Sequence, residues 1–115
     1  MQPKPRQFYE ARAAIAKALA HPTRLLVLDV LKERPTCVGE LTELAGVDQS
    51  TVSKHLAVLK NAGLVSAEKK GLTIHYSLRC TCLDSFFNCV QSVLEDKLRQ
   101  DQSMLLGHAV DAPSC

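Results

Sequence analysis

Three cysteines in the last third of the chain are the residues best suited to chemistry. Cys80 and Cys82 form a Cys-x-Cys pair, and Cys89 follows inside a segment with helical apolar periodicity. Thiolates are soft ligands and strong nucleophiles, so this group favours binding of a soft metal ion or reversible oxidation. A helix N-terminus at this point, together with the neighbouring Arg79, would favour thiolate over thiol.

The total number of cysteines bears on the same chemistry. The 115 residues contain five cysteines, an odd number. No apolar run approaches the ~20 residues that cross a bilayer, and the N-terminus lacks a secretion signal. We therefore expect a cytoplasmic protein, in which cysteines serve metal binding or redox chemistry more often than a disulfide framework.

The spacing of the three cysteines limits how one ion is bound. If Cys82 were already helical, its Cα would lie ~10 Å from that of Cys89. A single site then requires the Cys80–Cys82 segment to be extended and to fold back along the helix. The other possibility is that a ligand comes from a second subunit.

The elements that position these residues belong to one small domain, predicted to span residues 1–115. Hydrophobic residues make up 46% and charged residues 23% of the chain, as in an ordinary globular protein. The formal net charge is only +2, but four lysines lie between Gln49 and Gly71 against one acid, Glu68. A two-fold dimer would present this cationic strip twice, which suits a polyanionic partner.

Residues 36–65 predict two short helices joined by a turn. Val38, Leu41 and Leu44 recur at helical spacing before Gly46, which suits the left-handed residue after a helix C-terminus. We expect Asp48 to accept hydrogen bonds from the free amides at the start of the second helix. That helix should bury Val52, Leu56 and Leu59 and end at residues 61–63.

The outward face of the second helix is small, polar and cationic. Short Ser and Gln side chains approach base edges in the major groove, whereas long apolar side chains would hold the helix away. This pattern predicts a helix-turn-helix that binds double-stranded DNA. The predicted DNA contacts are Gln49, Ser50, Thr51, Ser53, Lys54, His55, Lys60, Lys69 and Lys70.

The flanking segments complete a mainly α fold with five helices and a small β hairpin. Residues 64–69 and 73–78 alternate as two strands with Lys70-Gly71 at the turn, which predicts a wing beside the recognition helix. Helices are predicted at residues 7–20, after His21-Pro22 up to a loop at residues 32–35, and at about residues 83–105. Residues 1–6 should form a basic arm and residues 106–115 a disordered tail.

The last helix carries a long apolar stripe that includes Phe86, Phe87, Val90, Val93, Leu94 and Leu98. A domain of this size has little core left for such a stripe to cover. We therefore expect the last helix to pair with its copy, and with the first helix, across a homodimer interface.

Several sequence blocks in this order resemble the ArsR/SmtB family of bacterial winged-helix repressors. The matching blocks are Ala20–Leu25 (AHPTRL), Val38–Leu41 (VGEL), Gln49–Leu56 (QSTVSKHL) and Leu59–Val65 (LKNAGLV). The resemblance implies a homodimer that binds a palindromic operator and releases it when an inducer binds. The two recognition helices would lie ~34 Å apart.

The resemblance also bears on the inducer site. One site in that family uses a Cys-Val-Cys run at the start of the helix-turn-helix. Here Cys37-Val38 matches its first half, but Gly39 replaces the second cysteine, so Cys37 is the less expected ligand. Three thiolates without an evident fourth donor suit pyramidal As(III), whereas Cd(II), Pb(II) or Zn(II) more often recruit one. We therefore predict that As(III) or another soft ion binds Cys80, Cys82 and Cys89, without an organic cofactor.

Other functions are open to the same residues. A repressor switched by an oxidant or a persulfide, through disulfide formation among these cysteines, is the nearest alternative. A small thiol oxidoreductase would need Cys-x-x-Cys near a βαβ unit, and neither is present in the sequence, so no enzymatic activity is expected. A purely structural dimerisation module would not bind DNA.

Overall fold

The computed structural model of the chain describes the backbone of residues 1–105 and the side chains of residues 1–102. The predicted tail at residues 106–115, with Cys115, lies outside the described residues. The five helices are α1 (Arg6–Leu19), α2 (Pro22–Glu33), α3 (Val38–Ala45), α4 (Gln49–Asn61) and α5 (Leu83–Leu105). The three strands are β1 (Thr36–Cys37), β2 (Val65–Lys70) and β3 (Thr73–Leu78). The predicted fold class, mainly α with five helices and a small β hairpin, is confirmed, and a third strand extends the hairpin into a sheet.

The chain divides into two compact units. The first, Met1–Thr81, contains α1 to α4 and the sheet, and the second begins at Cys82 and contains α5. A single domain over residues 1–115 stays a prediction, since the two units are described separately below.

The core of the first unit is aliphatic and is built mainly by α2, α3 and α4. Burial of one such side chain contributes ~1.5–3 kcal/mol relative to leaving it exposed. All the apolar positions predicted for the inner face of α4 are fully buried. The fully buried apolar side chains are Val27, Leu28, Leu41, Val52, Leu56, Leu59 and Val65.

The sheet has the strand order β1-β3-β2 and is antiparallel throughout. The predicted hairpin is present, with β2 and β3 paired from Val65 opposite Leu78 to Lys70 opposite Thr73. Gly71, in the turn, has a φ of 64°, which glycine adopts without steric cost. β2 begins and ends one residue later than predicted.

Strand β1 was not among the predicted elements. It has only two residues, and it pairs Thr36 with Tyr76 and Cys37 with His75. So short a strand forms because a distant segment supplies its hydrogen-bonding partners. It was not predicted because two residues are too few to show a strand periodicity.

The loop predicted at residues 32–35 is shorter than expected because α2 continues through Glu33. Arg34 leaves the helix with extended backbone angles, φ −166° and ψ 156°. The cause is Pro35, whose ring disfavours helical geometry in the preceding residue. The proline therefore ends α2 at Glu33, two residues before itself.

Helix α5 has the predicted bounds, and its described apolar side chains are largely exposed. Leu83 is buried, while Phe86, Val90, Val93, Leu94 and Leu98 are between 39% and 62% exposed. Helix α1 likewise exposes Phe8, Tyr9 and Ile15.

None of the helices within the described residues combines the length and hydrophobicity needed to cross a membrane.

Candidate DNA-binding surface and cysteine sites

The turn between α3 and α4 orients the second helix of the pair. Gly46 follows α3 in the left-handed conformation, φ 71° and ψ 22°, and its N–H donates to the Thr42 carbonyl. Asp48 occupies the N-cap position of α4, as predicted, and its carboxylate accepts hydrogen bonds from two side-chain hydroxyls. Its partners are Thr51 Oγ1 at 2.5 Å and Ser50 Oγ. These hydrogen bonds lower the pKa of Asp48 to about 2, so the cap is ionised at neutral pH.

Helix α4 separates its two faces sharply. Val52, Leu56 and Leu59 are fully buried, which leaves the opposite face open to a partner. Thr51 is half-buried and its hydroxyl is engaged with Asp48. The predicted contact residues that lie exposed on α4 are Gln49, Ser50, Ser53, Lys54 and Lys60.

His55 lies apart from the other predicted contact residues. Its Nδ1 accepts a hydrogen bond from Arg24 Nε at 3.0 Å, and its ring centroid lies 4.2 Å from that of His21. Burial is the largest cause that lowers the pKa of His55, and the charges of His21 and Arg24 lower it further. The sequence contained a signal for this placement, because His55 lies three residues after Val52 and four before Leu59, on the helix side that faces the core.

The wing carries the remaining predicted contacts. Lys69 and Lys70 are exposed at the end of β2, opposite Ile74 and Thr73 of β3. Beside them, Leu72 is completely exposed at the hairpin tip. The wing therefore presents two cations and one apolar side chain to a ligand that binds against α4.

The described cysteines differ in their chemical state. Cys37 and Cys89 are free thiols, with Cys37 half-buried at the start of α3 and Cys89 exposed on α5. Cys80 and Cys82 are both disulfide-bonded. Cys80 belongs to the first unit, whereas Cys82 and Cys89 belong to the second. The two members of the Cys-x-Cys pair are thus oxidised, a state that the metal-binding prediction did not include.

Within residues 1–102, no three His, Cys, Asp or Glu side chains lie close enough to hold a metal ion. The three-cysteine metal site therefore stays a prediction. Cys37, the less expected ligand, lies instead beside a cavity of about 290 Å³ between the start of α3 and the tip of the wing. Leu72, Ile74 and Gln49 also line this cavity.

The comparisons with known proteins agree with this arrangement of elements. Residues 21–67 match the family described as "Bacterial regulatory protein, arsR family". The HTH-type transcriptional regulator YgaV of Escherichia coli K12 is 35% identical over 85 residues, which cover 73% of this chain and 86% of YgaV. The chain belongs to the ArsR family.

Two further similarities show how far the likeness extends. The HTH-type transcriptional repressor SmtB of Mycobacterium tuberculosis H37Rv is 40% identical over 76 residues, 66% of this chain and 56% of SmtB. The homodimeric winged helix-turn-helix DNA-binding domain of Mb0332 from Mycobacterium bovis, a possible ArsR-family regulator, is similar with a TM-score of 0.72. It is 28% identical, and the likeness covers 87% of this chain and 95% of that one. These proteins are named as regulators, not as enzymes.

The family match covers the DNA-binding elements better than the cysteines. Residues 21–67 extend from the N-cap of α2 into β2 and so include α3 and α4. The matched segment ends before Cys80, Cys82 and Cys89. Membership of the ArsR family therefore supports the regulatory fold, while the inducer has to be argued from this chain's own thiols.

Proposed function

We propose that this ArsR-family protein is a homodimeric transcriptional repressor that binds a palindromic operator and releases it when its cysteines react. The observation that carries the proposal is the exposed face of α4. Gln49, Ser50 and Ser53 are short enough to meet base edges in the major groove, and the buried opposite face orients the helix. The proposal implies a cytoplasmic protein that works beside the chromosome.

The lysines supply the part of the binding that does not depend on sequence. Lys54 and Lys60 on α4, and Lys69 and Lys70 on the wing, are exposed. Such side chains bind phosphates and hold the recognition helix in register on the duplex. A dimer doubles this set, which compensates for a net charge of only +2 per chain.

The dimer is proposed to form through the exposed apolar faces of α1 and α5. Large apolar side chains are exposed along both helices, and clustered exposure of this kind marks an interaction site. The Mb0332 domain is homodimeric, and a second copy of this chain is the partner we propose for both faces.

The first candidate inducer is As(III) or another soft ion. Cys80, Cys82 and Cys89 are the proposed ligands, because three thiolates match the coordination that As(III) prefers. Since Cys80 and Cys82 are disulfide-bonded in the structure, this mechanism requires their reduction first. Arsenite, As(OH)3, would then exchange its three As–O bonds for three As–S bonds, and the three thiol protons would leave with the hydroxides as water.

The second candidate inducer is a thiol oxidant, and one observation favours it. The oxidised state of Cys80 and Cys82 is the product that a peroxide or a polysulfide would form by accepting two electrons while the thiols lose two protons. The free thiol of Cys89 would then take part in disulfide exchange.

DNA binding is tested with a fragment from upstream of the protein's own gene, by fluorescence anisotropy over a range of salt concentrations. Lys69→Gln with Lys70→Gln should lower the slope of log affinity against log salt by about 0.9 for each phosphate that the variant no longer neutralises. The matched control is Glu68→Gln in the same strand, which removes an acid and should not lower the slope. Failure of the wild-type protein to bind this fragment at low salt would overturn the proposal.

The inducer is tested on protein reduced with a phosphine, which does not compete for arsenite as dithiols do. Arsenite and a polysulfide are added separately under argon, and release of the fragment is measured. Serine variants at Cys80, Cys82 and Cys89 should block release, and Cys37→Ser is the matched control. Release by arsenite alone identifies the first candidate, and release by polysulfide alone identifies the second. Release that survives all three serine changes would exclude both.

A further inference from the structure

A group of three side chains connects α2 to the middle of α4, away from the surface proposed to meet DNA. Arg24 Nε donates to His55 Nδ1 at 3.0 Å, and Arg24 Nη1 donates to the carbonyls of Lys17 and Ala18 at 3.2 and 3.3 Å. One guanidinium group therefore holds both the C-terminal end of α1 and the recognition helix. The planar, multidentate donor set of arginine is suited to such a role.

Hydrogen bonding determines which ring nitrogen of each histidine carries a proton. Arg24 Nε can only donate, so His55 Nδ1 has to be an acceptor and the ring proton lies on Nε2. The same reasoning applies to His21, whose Nδ1 accepts from the backbone N–H of Thr23 at 3.1 Å. Two imidazole rings with centroids 4.2 Å apart are thus both used as acceptors at Nδ1.

We infer that Arg24 and His55 form a positioning contact, the Arg24–His55 bridge, which sets the orientation of α4 for operator binding only while His55 is neutral. The inference rests on the proposed DNA-binding function, and it changes the expected role of His55 from a DNA contact to a positioning residue. A proton on Nδ1 would remove the acceptor and place an N–H against a cationic donor. The bridge would then break.

The surroundings of His55 make protonation unfavourable in the intact bridge. The charged groups that act on its ring are His21, at the N-cap of α2, and Arg24, within α2. Burial and these two groups lower the pKa of His55 below its ordinary value of 6.5. Because the pKa is lower in the folded state, the bridge stabilises the fold fully above that value, and its contribution is lost as the pH falls.

The two possible roles of His55 predict opposite signs on acidification. A histidine that contacts DNA would gain a positive charge near phosphates, and operator affinity would rise as the pH falls. A histidine that positions α4 would lose its bond to Arg24, and affinity would fall. The sign of the effect therefore separates a contact residue from a positioning residue.

The test compares operator affinity of the wild-type protein with that of His55→Asn between about pH 7.5 and 5.5, where histidine titrates. Asparagine places an amide oxygen where Nδ1 lies and does not titrate. Dividing wild-type by variant affinity removes effects of the other histidines. We expect this ratio to fall about tenfold on acidification, equivalent to ~1.4 kcal/mol. A ratio that rises or stays constant would overturn the inference.

Two matched variants and two measurements without DNA complete the test. His55→Gln places its amide further out, so it should bind more weakly than His55→Asn at every pH, and Arg24→Lys should weaken binding while retaining the charge. Nitrogen-15 spectra of the imidazole should show His55 Nδ1 unprotonated at neutral pH. Acidification should lower the protection factors of the amides in α4, which correct the exchange rates for their intrinsic pH dependence, in the wild-type protein but not in His55→Asn. If no operator is bound at any pH, the proposed function fails, and a protonated Nδ1 or unchanged protection factors would independently refute the bridge.

Discussion

Helices α4 and α5 are both amphipathic, yet the structure treats their apolar faces in opposite ways. The apolar residues predicted for the inner face of α4 are fully buried, whereas Val93 and Leu98 of α5 are 59% and 62% exposed. The first unit therefore completes the surroundings of α4 by itself. Helix α5, with 23 residues against 13 for α4, offers an apolar surface that needs a partner. The apolar face of α4 is buried by its own chain, and we propose that the apolar face of α5 is buried by dimer formation.

The largest expected effect is on the stability of the first unit. Leu56→Ala removes a fully buried side chain and should lower the free energy of unfolding by about 2–5 kcal/mol. Val93→Ala, on the exposed side of α5, should cost far less when measured at a protein concentration where monomer dominates. Urea denaturation followed by circular dichroism measures both changes. Equal losses in the two variants would contradict the contrast between the helices.

The next effect concerns association. Leu98→Lys places a charge on the exposed apolar face of α5 and should raise the dimer dissociation constant at least tenfold, ~1.4 kcal/mol. Gln91→Lys introduces the same residue at an exposed polar position of the same helix and should leave association nearly unchanged. Sedimentation velocity over a concentration series measures the constants. A wild-type protein that stays monomeric at micromolar concentration would rule out the proposed dimer.

A smaller effect is expected in the turn that leads into α4. Gly46→Ala forces a side chain into the left-handed region at φ 71° and should destabilise the fold by about 1–2 kcal/mol. Gly39→Ala lies inside α3, where the added methyl group meets nothing within 4 Å, and should stabilise by about 0.5–1 kcal/mol. Opposite shifts of the thermal midpoint for these two glycines are the expected result. Shifts of the same sign would refute the assignment of Gly46 as the helix-ending residue.

The smallest effect is the pH dependence contributed by Asp48. Its pKa is lowered from 3.8 to about 2 by the hydroxyls of Ser50 and Thr51, so its contribution to stability is present above pH 3.8 and is lost as the pH falls towards 2. Asp48→Asn should flatten the acid denaturation curve in that interval. The double variant Ser50→Ala with Thr51→Val removes both hydroxyl donors, the largest causes of the lowered pKa, and should also flatten the curve. An unchanged curve in either protein would argue against the capping contact.

Local sequence signals account for most of the fold. Apolar spacing gave the bounds of α5, and Gly46 together with Asp48 located the turn of the helix-turn-helix. These features depend on residues within one or two turns of each other, so periodicity and capping preferences are sufficient. The same reasoning missed β1, because Thr36 and Cys37 become a strand only by pairing with Tyr76 and His75 across a long stretch of chain.

The candidate sites were harder to predict from sequence, because they also depend on contacts between residues far apart in the chain. His55 lies within a family motif beside exposed polar residues, and only its contacts with Arg24 and His21 show that it faces α2. The number of cysteines suggested metal or redox chemistry but gave no oxidation state. Cys80 and Cys82 are disulfide-bonded, and neither the composition nor the spacing of cysteines predicts whether they are oxidised.

Strand β1 has a mechanical consequence for target recognition. Its two residues continue directly into α3 and at the same time hydrogen-bond to β3, the returning strand of the wing. Strand β1 therefore links α3, which packs against the recognition helix α4, to the wing. The separation between the recognition helix and the wing is thus fixed before DNA binds. When a binding site requires a different distance between the recognition helix and the wing, the DNA has to bend or change its groove width. Flexible base-pair steps between the contacted positions should therefore be favoured.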